Sequence, residues 1–185
     1  MQIYYTNLSA IHLQTLQLDH AQCPHCKQTQ QLVSHGFIYK KQVGAEPEAV
    51  GKRIICSTRN NRTGCGRTAQ LYVDSTVRYF HFAGCFVVAF VLSLIEGMTI
   101  QGAYNHATGA DTPRNAYRWL NRLCAQLSIY RSLSHRPPLR DSTPIVAANR
   151  SVRLVSLTST FKVLMQRFGQ PLCPTYQSQL QRSLL

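Results

Sequence analysis

Residues 21–26, AQCPHC, and residues 53–67, RIICSTRNNRTGCGR, hold four of the seven cysteines in the chain and decide how its first part folds. Cys23 and Cys26 form a C-x2-C turn, which places two thiolates within reach of one Zn²⁺ at about 2.3 Å each. Cys56 closes a β-prone run. Cys65 follows between Gly64 and Gly66, whose missing side chains free the backbone to fold back toward the metal. The pattern predicts a zinc ribbon with ligands Cys23, Cys26, Cys56 and Cys65. Its second pair departs from the compact two-residue knuckle, because STRNNRTG intervenes and must bulge out as a basic loop carrying Arg59, Arg62 and, just beyond, Arg67. Four thiolates leave no open position for water, so the expected zinc is structural and not catalytic.

Cysteines in such a pattern have other possible uses. Buried thiols are one. A redox CxxC is another, but it opens a helix in a βαβ unit and that pattern is absent. His25 and His35 lie near enough to replace a cysteine ligand should the wide second spacing fail. Cys85, Cys124 and Cys173 sit among apolar or helical neighbours and read as structural.

Outward from the cysteines, residues 21–77 alternate breakers with short β-prone runs, QLVSHGFIYKK, KRIICS and TAQLYVDS, as a small ribbon of antiparallel strands would. Residues 1–20 carry Leu8, Ile11, Leu13, Leu16 and Leu18, enough for one short helix. From residue 78 to 134 the pattern turns helical. Phe82–Ile95, FAGCFVVAFVLSLI, is apolar except for Ser93. At ~1.5 Å per residue it covers about 21 Å, short of a ~30 Å hydrocarbon core, so it reads as a buried helix with Gly97 as its stop and no membrane role is expected.

Thr99 then caps a short helix, Ile100–Ala107, and Thr108-Gly109-Ala110 makes a turn. Asp111 or Thr112 caps the next helix, which starts at Pro113 and is expected to reach about Arg131. A short helix, a glycine turn and a longer helix have helix-turn-helix form. On the second helix Arg114, Arg118 and Arg122 recur every four residues beside Asn115 and Asn121, with Tyr117, Leu120, Cys124 and Leu127 as the apolar stripe. Arginine pairs bidentately with guanine and asparagine with adenine, so Arg114, Asn115 and Arg118 are the expected base readers, with Arg122 and Arg131 on phosphate. A solvated basic face is the competing reading of this helix. Residues 135–185 form a linker, HRPPLRDSTP, and a helical tail within Ser151–Phe168, stopped by Gly169 and Pro171; its Val152, Val155, Leu157, Phe161, Val163, Leu164 and Phe168 suit core packing or a homodimer contact.

The chain thus reads as an α+β protein of four segments: residues 1–20, a ribbon over 21–77, a helix-turn-helix unit over 78–134, and the tail. Its composition is that of a folded protein, 44% hydrophobic and 15% charged over 185 residues. The net charge of +13 arises from 20 Lys and Arg against 7 Asp and Glu. Lys27, Lys40 and Lys41 balance Asp19, Glu46 and Glu48, so the whole excess falls in residues 51–185. That half is suited to a polyanion such as duplex DNA. The opening residues do not read as a secretory signal, which places the expected protein in a reducing cytoplasm, on the nucleoid.

Residues from about Cys23 to Arg122 resemble the zinc-ribbon plus helix-turn-helix region of bacterial insertion-sequence transposases and their small companion proteins. The matching stretches are CPHC, RIICS, GCGRTAQLYVDST, the apolar helix and GMTIQGAYNHATGADTPRNAYRWLNRL. The resemblance implies zinc on the four cysteines and binding of an element's terminal repeats by ribbon and helix-turn-helix together. The family's nuclease domain needs three carboxylates, and after Cys65 the acids are only Asp74, Glu96, Asp111 and Asp141, so no enzyme is expected. The resulting expectation is a regulator, targeting factor or transposase accessory of a mobile element. Two competitors are a phage- or plasmid-type zinc-finger activator that recruits RNA polymerase, and an adaptor that grips protein or RNA in a nucleoprotein complex.

Overall fold

The computed structural model describes residues 1–40, 46–78, 80–134 and 151–185; the expected linker over residues 135–144 and the start of the GAEPEAVG loop lie outside the described residues. The architecture is α+β, with a four-stranded mixed sheet and seven α-helices among the described residues. Two compact units divide the chain, Met1–Ala83 with Tyr176–Leu184, and Gly84–Thr175 with Leu185.

The first unit contains β1 (Gln2–Tyr5), α1 (Leu8–Leu16), a 3-10 turn (Leu18–His20), β2 (Leu32–Lys40), β3 (Glu48–Cys56) and β4 (Thr68–Val73), with sheet order β1-β4-β3-β2. The three β-prone runs become β2, β3 and β4, paired antiparallel as expected. The sheet is not purely antiparallel, however, because β1 pairs parallel with β4 from Gln2 opposite Gln70 to Tyr5 opposite Val73. Four residues are too few to display a period, and the parallel pairing is reached only by a long crossover. Asn7 caps α1 by accepting the Ala10 N–H at 2.8 Å. Ile11 and Leu18 enter a core with Leu32, Ile54, Ala69 and Leu71, whereas Leu13 and Leu16 stay exposed. The expected helix is therefore shorter than its five apolar residues, with Leu18 in the 3-10 turn.

The second unit is helical: α2 (Gly84–Ile95), α3 (Ile100–Thr108), α4 (Pro113–Ala125), α5 (Leu127–Ser134) and α6 (Ser151–Phe168). Phe90 of α2, Tyr104 of α3 and Trp119 of α4 meet edge to face, with centroids 5.1–6.5 Å apart. Such mutual packing explains the apolar run in α2: Val87, Val88, Phe90, Val91 and Leu94 are buried. No helix among the described residues is long and apolar enough to cross a membrane. Thr99 caps α3, accepting the Gly102 N–H at 3.1 Å. Gly109 ends it at φ 69°, a left-handed conformation that a side chain would strain.

Two expectations for the next helix are corrected. It ends at Ala125, and Arg131 belongs to a separate helix, α5. At the break the Gln126 N–H bonds tightly back to Leu123, while Leu127 and Tyr130 turn inward and Tyr130 meets Phe161 of α6 edge to face at 5.6 Å. No glycine or proline marks this break; tertiary packing makes it. The apolar stripe is also rotated, since Ala116, Trp119, Leu120 and Leu123 are buried whereas Tyr117 and Cys124 are half-buried. In α6, Leu157, Phe161, Leu164 and Phe168 are buried as expected, but Val152 and Val155 are exposed.

A last helix, α7 (Leu172–Leu180), was not expected beyond Pro171. From Tyr176 on, its residues belong with the sheet. The Gln181 amide accepts the Tyr4 N–H at 2.7 Å and donates to the Tyr4 carbonyl at 3.0 Å, so one side chain occupies the outer edge of β1 as a neighbouring strand would. Gln177, fully buried, donates to the carbonyls of Asp74 and Thr76 and accepts the Leu184 N–H. Because Trp119 joins three helices, Trp119→Ala should cost about 3–5 kcal/mol; denaturant unfolding followed by far-ultraviolet circular dichroism would measure this, and a loss below about 1 kcal/mol would contradict the aromatic core.

Candidate metal centre and basic helix

The two cysteine turns converge. Cys23 Sγ lies 3.8 Å from Cys65 Sγ, Cys26 Sγ lies 3.6 Å from Cys56 Sγ, and all four sulfurs fall within 4.8 Å of one another. Disulfides of about 2.05 Å are excluded by these separations. A tetrahedral ion with thiolate bonds of about 2.3 Å requires sulfur–sulfur edges of about 3.8 Å, so the cluster fits a single metal ion. Among the described residues, it is the one grouping of His, Cys, Asp or Glu side chains able to hold one.

The wide spacing of the second pair has a structural answer. Cys56 donates its N–H to the Arg67 carbonyl at 3.0 Å and accepts from the Gly66 N–H at 2.9 Å, so the chain returns alongside itself at the base of the loop. Gly64 and Ser57 bond one step further in, at 2.9 Å. The STRNNRTG insert is thus an excursion above a closed neck, and its length does not change where Cys65 sits. Gly64 is required here. A Cβ at this position would lie 2.6 Å from Cys56 Sγ and 2.4 Å from the Ser57 carbonyl oxygen. In the first turn Lys27 takes a left-handed φ of 63°, and its N–H closes onto the Cys23 carbonyl at 2.9 Å.

Backbone amides are aimed at the sulfurs. The His25 N–H points to Cys23 Sγ at 3.4 Å and the Cys65 N–H to Cys56 Sγ at 3.2 Å. Burial drives the Cys56 thiol up to about 12, reinforced by the neighbouring thiols. At Cys23 burial pushes the same way but is outweighed by the Cys26 and His25 amides, which bring the thiol down to about 7. Metal loading therefore releases protons, and its affinity falls as pH falls. His25 and His35 are not part of the cluster.

The expected nucleic-acid contacts are distributed as follows. On α4, Arg114, Arg118, Asn121 and Arg122 are exposed on the side opposite the Trp119 stripe. Asn115 is half-buried and donates its amide to Thr112 Oγ1 at 3.3 Å, so this expected base reader is turned toward the helix start. Arg131 stands on α5 and donates to Ser156 of α6. In the cysteine loop Arg59 and Arg67 are exposed, while Arg62 pairs with Asp19 at 3.7 Å and donates to the Gln30 carbonyl. Sequence reasoning passed over a cluster in the same unit, His12, Phe37, Tyr39 and Lys52, although aromatic residues two apart in a strand were its available signal.

Compared with protein-family models, curated proteins and solved structures, the chain matches none of them. Titration with Co²⁺ or Zn²⁺ should show one ion per chain with thiolate charge-transfer absorption, and Cys65→Ser should abolish that signal and lower the melting temperature. Gly64→Ala should weaken metal binding about tenfold or more. Equal melting of the metal-free and metal-loaded protein would refute the centre.

Proposed function

We propose that the chain is a zinc-dependent, non-enzymatic protein that binds duplex DNA, with α3, the Gly109 turn and α4 acting as a helix-turn-helix and α4 entering the major groove. The carrying observation is the two-sidedness of α4: Arg114, Arg118, Asn121 and Arg122 face solvent while Ala116, Trp119, Leu120 and Leu123 anchor it. A helix held so firmly on one face presents arginine forks at fixed spacing, which bidentate pairing with guanine rewards. The same helix carries no acidic residue, and each unit is basic by sequence, ten Lys and Arg against four acids in the first and ten against three in the second. Arg118 and Arg114 read bases, assisted by Asn121, and Arg122 and Arg131 contact phosphate.

Zinc is the ion that a set of four cysteine thiolates with tetrahedral spacing suits best. It would tie the turn before β2 to the end of β3 and the start of β4, as a zinc ribbon does, and with all positions filled by sulfur it would supply folding energy and not catalysis. The likeness to insertion-sequence transposase regions favours a role as regulator, targeting factor or transposase accessory of a mobile element, acting at the nucleoid.

With a preferred site selected from random duplexes, Arg118→Ala should lose about 1–3 kcal/mol at that site and little on random DNA, whereas Arg122→Ala should weaken both and reduce the salt slope by about one. Filter binding across a salt series reads both quantities. Equal losses on cognate and random duplexes for Arg118→Ala would sink base readout by α4.

A further inference from the structure

Beyond the metal centre and the basic helix, an aromatic surface lies open on β2 and α1. Phe37 is 40% exposed and Tyr39 60%, unusual values for two large rings in one strand. Their centroids are 6.0 Å apart, and the His12 ring of α1 stands 5.5 Å from Phe37. Lys52, directly across from Phe37 in β3, places its ammonium 4.9 Å from the ring centroid and donates to Thr15 Oγ1 at 3.1 Å. The ammonium is thereby fixed against one aromatic ring from inside the unit, since Lys52 is itself buried.

We infer that Tyr39 and Phe37, backed by Lys52, form a stacking site for unpaired bases of a single nucleic-acid strand. Three features select this occupant. Exposed rings offer π-faces that any base can stack on, and stacking of this kind tolerates sequence. Neither α1 nor β2 contains a carboxylate that would repel phosphates, the single acid of β3, Glu48, lies opposite Lys40, and the unit has ten basic residues against four acidic. The backbone around the rings is also irregular, with Gly36 at φ 92° and register shifts between Ser34 and Phe37 and between Ile38 and Tyr39, a form that disfavours a further protein strand. This inference does not rest on duplex recognition by α4, because ligand and residues both differ.

The test uses the zinc-loaded full chain and fluorescein-labelled oligothymidylate and oligouridylate of about 15 nucleotides, read by anisotropy at low and high salt. Tyr39→Ala and Phe37→Ala should each weaken oligonucleotide binding about five- to tenfold, and Tyr39→Trp should restore it. Duplex affinity should stay unchanged in these variants, and Arg118→Ala should leave the loss on the single strand intact. Leu16→Ser, an exposed neighbour on α1, should have no effect. Variants that bind single strands within twofold of wild type would overturn the site, as would a wild-type chain that ignores both oligonucleotides. Sedimentation showing a dimer that Tyr39→Ala dissociates would overturn it too, by giving the rings to a second copy of the chain.

Discussion

Closure of four sulfurs around one point is the constraint on which the first unit depends. Cys23 and Cys56 are not appended to the core; they are members of it, packed with Ile11, Leu18, Leu32, Ile54, Ala69 and Leu71. The remaining apolar set is small, and β2 is exposed from Ser34 to Phe37. A sheet with so little to bury gains stability from cross-linking distant segments, and a metal on the four cysteines would do so by joining the turn before β2 to the neck between β3 and β4. Without a cation Cys56 holds its proton, its thiol raised by burial to about 12, whereas the amides around Cys23 bring that thiol down to about 7. With one, the crowding of 3.6–3.8 Å becomes the spacing that the ion requires.

Local rules made much of this readable. The two cysteine turns, strands β2 to β4, the caps at Thr99 and Gly109 and the extent of α6 all follow from residue type and spacing, because each is marked by groups close in sequence. Features fixed by distant groups were not readable. Strand β1 exists because β4 offers it an edge, α7 carries Gln177 onto the turn after β4 and is followed by Gln181, which bonds β1, and the break at Gln126 is imposed by Tyr130 packing on Phe161. The rotation of the α4 stripe has the same origin, because Trp119 outranks Tyr117 and Cys124 once Phe90 and Tyr104 are there to meet it.

In helix α4 packing and the proposed recognition share one element. Its buried side contains the large, stiff residues that set its rotation about its own axis, and that rotation decides which side chains face outward. Had Tyr117 and Cys124 led the buried stripe, Arg118 and Asn121 would have been carried away from the centre of the exposed face. Trp119 would therefore bear on the proposed recognition without touching a ligand. The same reasoning separates Arg131 from the α4 arginines: on α5, and bonded to Ser156, it holds a position set by the α5–α6 packing.

The edges of the sheet bear on the meaning of its exposed rings. An open edge invites a further strand, and proteins commonly block it. On β1 the block is chemical, since the Gln181 amide consumes both polar groups of Tyr4. On β2 it is geometric, since the irregular register around Gly36 spoils the flat ladder that a new strand would need. With lengthening of the sheet disfavoured on both sides, Phe37 and Tyr39 are not explained as the flank of a strand-pairing surface. They are also too exposed to count as core, and Lys52 beneath Phe37 makes the spot more electropositive than an ordinary apolar patch. What remains compatible with flat rings, a held ammonium and no carboxylate on α1 or β2 is a flat, electron-rich ligand attached to negative charge, and an unpaired nucleotide has that chemistry.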